Sequence, residues 1–135
     1  MKGMRSSALV VVLVLFVAIC ACNSASARTV SSGLYGRILL SPICPVERFP
    51  PQRACAPRPL IATLRLTRLS GKRVSVRVRS GANGRFRVRL DPGTYIVRAL
   101  RLGDSPFPRP PFPRRVQILP GHFTAMTVTY DTGIR

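Results

Sequence analysis

The chain has 135 residues and sets 22 Lys and Arg against 4 Asp and Glu, for a formal charge of +18, with one histidine, four cysteines and no tryptophan. That length predicts one domain around a single core, and a lone histidine excludes the clustered imidazoles that many hydrolytic and metal sites require. The charge permits long-range attraction to polyanions, while twenty arginines against two lysines suit bidentate phosphate contact and the codon bias of a GC-rich genome equally well.

Met1 to Ala27 reads as an export signal, with Lys2 and Arg5 at its positive start, an apolar run from Ala8 to Ala21 and a small-residue cleavage site at Ala25-Ser26-Ala27. The apolar run is shorter than the ~20 residues of a spanning helix. Cleavage there leaves 108 residues carrying +16. Ile19-Cys20-Ala21-Cys22 also resembles a bacterial lipobox, with cysteine at its second position as a departure. In that alternative the signal is 1–21, Cys22 carries the lipid and 22–32 is a small polar tether. The two processing routes remain open, and both place the protein in the cell envelope, the periplasm or outside the cell.

The domain expected over 33–135 is all-β. Leu34 to Ser41 reads as the first strand, with Gly36 marking a bend or a close backbone approach. A Pro-rich loop follows. Leu60 to Leu69 alternates Ala62, Leu64 and Leu66 against Thr63, Arg65 and Thr67, and Ser70-Gly71 turns it into Lys72 to Arg79 with Val74, Val76 and Val78 on one face. Asn83-Gly84 then precedes Arg85 to Leu90, and Pro92-Gly93 precedes a fifth strand from Thr94 to about Leu102. Gly103 to Arg114 holds five prolines and predicts an extended surface loop rather than a strand. Arg115 to Leu119 is a short sixth strand, and Pro120-Gly121 leads into His122 to Tyr130. Seven strands with regularly spaced turns predict one antiparallel β-sandwich.

Asn83-Gly84-Arg85-Phe86 followed by Leu90-Asp91-Pro92-Gly93-Thr94-Tyr95 resembles the turn signature of the carboxypeptidase regulatory-like domain, a transthyretin-type sandwich. The Cys44-Pro45-Val46-Glu47-Arg48 run and the C-terminal Tyr130-Asp131-Thr132-Gly133-Ile134-Arg135 are similar to the ends of small exported bacterial members. The resemblance implies a seven-stranded sandwich and no peptidase activity, because carboxypeptidase catalytic residues belong to another domain.

Cys44 and Cys55 are the cysteines that remain after either processing route, and export predicts a structural disulfide between them. No catalytic, cofactor or metal set emerges. His122 follows a turn with no carboxylate beside it, and Asp131-Thr132-Gly133, though written like an aspartic-protease motif, has only two residues after it and reads as a terminal turn. The feature above background is arginine placement. With valines, Phe86 and Leu90 inward, Arg73, Arg77, Arg79, Arg85, Arg87 and Arg89 are expected to point outward from a single hairpin, as a contact for anionic envelope polymers or a membrane surface. A specific nucleic acid is not expected, and no protein partner is identified, although the Pro-rich segment has the character of an extended ligand for a groove. The alternative function is a glycan-binding sandwich, for which Tyr35 is the one tyrosine expected outside the core.

Overall fold

The computed structural model describes residues 31–46 and 49–135. The export signal, Cys20, Cys22 and most of the tether lie outside the described residues, as do Glu47 and Arg48.

Eight strands form two four-stranded sheets: β1 (Gly33–Ser41), β2 (Arg58–Pro59), β3 (Thr63–Arg68), β4 (Ser75–Arg79), β5 (Arg85–Arg89), β6 (Gly93–Ala99), β7 (Arg114–Ile118) and β8 (Phe123–Asp131). Sheet A has β1 at its centre, with β8 on one side and β5 and β2 in succession on the other. Sheet B runs β4-β3-β6-β7, antiparallel throughout. Leu34, Ile38, Phe86, Val128 and Tyr130 of sheet A meet Leu64, Leu66, Tyr95, Val97 and Ile118 of sheet B in one buried cluster. Period-2 alternation predicts Leu64, Leu66 and Phe86 inward, as observed, but Val74, expected on the same face as Val76 and Val78, is exposed because it lies before β4 begins at Ser75.

Two expectations are corrected. There are eight strands rather than seven, because Arg58 and Pro59 pair with Leu40 and Leu39 inside what the prolines mark as loop. The sandwich is also not wholly antiparallel: β8 runs parallel to β1 along its whole length, from Gly33 opposite Phe123 to Ser41 opposite Asp131. Alternation specifies which face of a strand is buried. It carries no information on which strand lies beside it, or in which direction.

Gly36 explains how the central parallel pair fits. A β-carbon at this position would collide with the backbone carbonyl oxygen of Met126, so β1 and β8 approach more closely there than any side chain allows. The close approach expected from sequence is the one observed.

The turn between β4 and β5 is an arch between sheets, not a hairpin. Ser80 is buried and stitches the end of β4 to sheet B: its hydroxyl donates to Leu60 O at 2.7 Å and accepts from Ala62 N at 3.0 Å, while its own N–H reaches Ala62 O at 3.0 Å. Four residues on, Gly84 sits in the left-handed region with φ +73, and its carbonyl accepts from Ile38 N of sheet A at 2.7 Å. Asn83 Oδ1 accepts from Arg85 N at 3.0 Å and closes the turn. The chain therefore crosses from one sheet to the other over five residues, 80–84.

The β5–β6 turn also crosses between sheets. Tyr95 is buried and reaches back to donate its hydroxyl to Asp91 O at 3.0 Å, a tyrosine-corner arrangement that pins the crossing. Of the four short turns, only Ser70-Gly71 makes a hairpin, between β3 and β4.

Cys44 and Cys55 form the expected disulfide, with Cα atoms 5.2 Å apart, and a short 3-10 turn over Arg53–Cys55 fills the loop it closes. The Pro-rich segment is tied down by one antiparallel bridge, Arg109 to Asp131, with N···O distances of 2.8 and 2.9 Å in the two directions. Phe107 packs over Gly133, whereas Phe112 stands almost fully exposed. Among the described residues no helix is long and apolar enough to cross a membrane.

Candidate functional site

The arch divides the six arginines expected on one surface. Arg73, Arg77 and Arg79 precede it or lie on β4 of sheet B; Arg85, Arg87 and Arg89 lie on β5 of sheet A. All six are exposed, but they belong to the two opposite outer faces and their adjoining edges. The physical reason is that β4 and β5 both have an apolar face, and the two faces look at each other across the core instead of lying side by side.

Register then adds arginines that sequence reasoning missed. On sheet A, Arg85 stands opposite Arg37, and Arg87 opposite Tyr35. The Arg87 guanidinium lies 3.6 Å above the ring centre of Phe123, a stacked cation–π contact made possible because Gly33 leaves space beneath the ring. Tyr35 is exposed beside this stack.

On sheet B the central strand carries Arg65, which faces Arg77 on one side and Arg98 on the other. Like charges directly opposite on neighbouring strands repel. Arg79 and Arg115 extend the same outer face, opposite Thr63 and Ile96 respectively. Arg65 and Arg98 look unremarkable in the sequence, each being one polar residue in an alternating strand. Only the pairing of β3 with both β4 and β6 brings them into line.

Counter-ions are scarce on both faces. Asp91 sits at the β5–β6 turn with its carboxylate 3.9 Å from Arg68, and Asp131 pairs with Arg135 at 2.8 Å. The Arg135 guanidinium, helped by the Gly133 N–H, holds the Asp131 carboxyl down to about 2. That pair places Asp131-Thr132-Gly133 in a terminal turn, as the sequence predicts, with Gly133 N donating to Asp131 Oδ1 at 2.9 Å. His122 is exposed at the start of β8, its Nδ1 2.7 Å from Pro120 O. Among the described residues no three of His, Cys, Asp and Glu are grouped as metal ligands.

An open cleft of about 850 Å³ lies where the two sheets part, lined by Ser32, Arg68, Val76, Leu90 and Tyr95 among others. Arg68 bridges its floor: Nη2 donates to Pro92 O at 2.7 Å, while Nε is buried without a partner. Burial, with Asp91 adding to it and Arg68 opposing it, keeps the Tyr95 phenol above its ordinary range, so the cleft presents a neutral hydroxyl already engaged with Asp91 O. Arg89 lines the cleft as well, so two guanidinium groups border this structural corner. The Ser32 hydroxyl at the same cleft is likewise engaged, donating to Leu90 O at 2.6 Å.

Neither a protein-family model nor a curated protein matches the chain.

Proposed function

We propose that this protein is a non-catalytic exported module of the bacterial cell envelope, related to the carboxypeptidase regulatory-like domains, that contacts anionic polymers or lipid headgroups through its arginine-rich outer surface. The observation that carries the reading is the presence of in-register arginines on both sheet faces, Arg37 opposite Arg85 and Arg65 between Arg77 and Arg98, with Asp91 and Asp131 turned to other arginines. An anionic partner relieves that repulsion better than salt does. Export is supported by the Met1 to Ala27 pattern together with the Cys44–Cys55 disulfide, which persists in oxidising compartments.

The test is retention of the purified domain on immobilised heparin and on vesicles rich in phosphatidylglycerol, between 50 and 500 mM NaCl, beside a panel of neutral glycans. Retention that falls steeply with salt is expected. Salt-independent binding to a neutral glycan would replace this reading with the glycan-binding alternative. Intact mass of the protein from its native envelope then separates a lipidated chain starting at Cys22 from an unmodified one starting at Arg28.

A further inference from the structure

Sheet B presents an arginine at every strand. Arg77 and Arg79 stand on β4, Arg65 on β3, Arg98 on β6 and Arg115 on β7, and the register places Arg77, Arg65 and Arg98 in one line across three strands. Arg115 lies one step further, opposite Ile96, which is the outward neighbour of Arg98 on β6. The result is an oblique band from one edge of the sheet to the other. Strand spacing of ~4.8 Å makes it roughly 14 Å from β4 to β7.

Three observations say what such a band fits. None of these five guanidinium groups donates a hydrogen bond or forms an ion pair with another described residue, so their planar donor forks are free for bidentate contact. The rest of the face consists of Thr63, Thr67, Ser75, Thr94 and Gln117 with Ile96, which adds hydroxyl and amide groups and no carboxylate. It also adds no aromatic ring. Base stacking needs aromatic platforms, which this face lacks, and insertion into a membrane interface needs a continuous bulky apolar surface, whereas the strand residues of this face include one bulky apolar side chain, Ile96, half-buried between Arg98 on its own strand and Arg115 opposite. The exposed Phe49 and Phe112 belong to loops, and Phe123 lies on the opposite sheet beneath Arg87.

We infer that the outer face of sheet B binds a linear phosphodiester polymer, lying across the strands and held through its phosphates alone. This rests on the anionic-partner reading above and assigns it to one face and one chemistry. A chain crossing four strands meets a guanidinium at each, whereas a chain following any one strand meets at most two.

The experiment measures binding of the disulfide-intact domain to a fluorescent 20-nucleotide oligo(dT) and to an abasic oligodeoxynucleotide of the same length, from 50 to 200 mM NaCl. Wild type is expected to bind both probes within about twofold. R65Q/R77Q/R98Q should lower the slope of log affinity against log salt by roughly 2, at ~0.7 for each phosphate of a single strand that is no longer neutralised. R85Q/R87Q/R89Q removes the same charge from sheet A and should keep a slope within about half a unit of wild type. If the sheet B triple fails to fold, R98Q/R115Q, at two exposed positions, replaces it with an expected drop of about 1.4 in slope.

A tenfold preference for oligo(dT) over the abasic strand overturns the inference, since it requires base contact. A slope that falls in the sheet A triple and holds in the sheet B triple overturns it too, while leaving the anionic reading in place. Binding to anionic vesicles with neither oligonucleotide bound assigns the face to a membrane and equally removes the proposal. No binding of wild type to any anionic probe at 50 mM salt removes both readings together.

Discussion

At the scale of single residues, the fold depends on positions where one atom decides the outcome. Gly36 is the sharpest case, because the obstacle to a β-carbon is the Met126 backbone and not a side chain that could rotate away. Gly36→Ala should destabilise by about 3 kcal/mol, the upper range of overpacking costs, since β1 and β8 must separate to admit the methyl group. Gly71 offers the contrast. It has φ +72 and nothing within 4 Å of a new β-carbon, so Gly71→Ala should cost only about 1 kcal/mol of left-handed backbone strain. Urea unfolding midpoints of the two variants measure the difference, and equal losses would mean that β1 and β8 are not in close approach. Tyr130 gives a pH-dependent test. It is fully buried, donates to Leu100 O at 2.6 Å, and burial pushes its phenol up to about 12 from an ordinary 10. The folded state therefore holds this proton more tightly than the unfolded chain does. The stability it contributes is complete below pH 10 and is lost as pH rises from 10 towards 12. Tyr130→Phe should cost about 1 kcal/mol at pH 7 by removing the hydrogen bond, and the gap to wild type should narrow when unfolding is repeated at pH 11. An unchanged gap would contradict the assignment.

At the scale of elements, the sequence was most legible where local chemistry decides and least where pairing does. Leu64, Leu66, Tyr95, Val97, Val128 and Tyr130 are placed inward by alternation and are buried. The turn residues Asn83-Gly84 and Pro92-Gly93 are turns. What they connect was not legible, because Asn-Gly between two alternating strands is also the commonest hairpin signal. The arch is specified instead by Ser80 and Gly84, one bonded into each sheet. A serine at the inward position two residues after Val78 was the available clue. The arginine band was hidden for the same reason: Arg65 and Arg98 are 33 positions apart and meet only through the register of β3 with β6. The disulfide was legible because export and cysteine count suffice to predict it. It closes a loop in which Val46, Phe49 and Arg53 are exposed, so it restrains the unfolded chain without holding core residues. Reduction should lower unfolding stability by about 3 kcal/mol while leaving the far-ultraviolet dichroism of the sheets unchanged at 25 °C. Loss of the β signal on reduction would show that the loop nucleates β1 and β2.

At the scale of the whole molecule, a charge of +18 by itself explains adhesion to almost any polyanion. The sandwich does something narrower, sorting arginines onto faces where register aligns them with no ion-pair partner among the described residues. Total charge and arrangement are separable because several arginines lie off those faces. Arg53, Arg58 and Arg101 are exposed on the disulfide loop, the short β2 strand and the loop after β6. Removing them subtracts the same three charges as removing Arg65, Arg77 and Arg98. The most direct measurement is therefore the salt dependence of heparin affinity for these two charge-matched triple Arg→Gln variants against wild type. Arrangement predicts that the loop triple keeps the wild-type slope within about half a unit while the sheet B triple drops by roughly 2, the change expected when three anionic groups on a flexible single chain are no longer neutralised. Equal slopes and equal affinities in the two variants would show that net charge alone governs binding, and the claim of an organised face would fail.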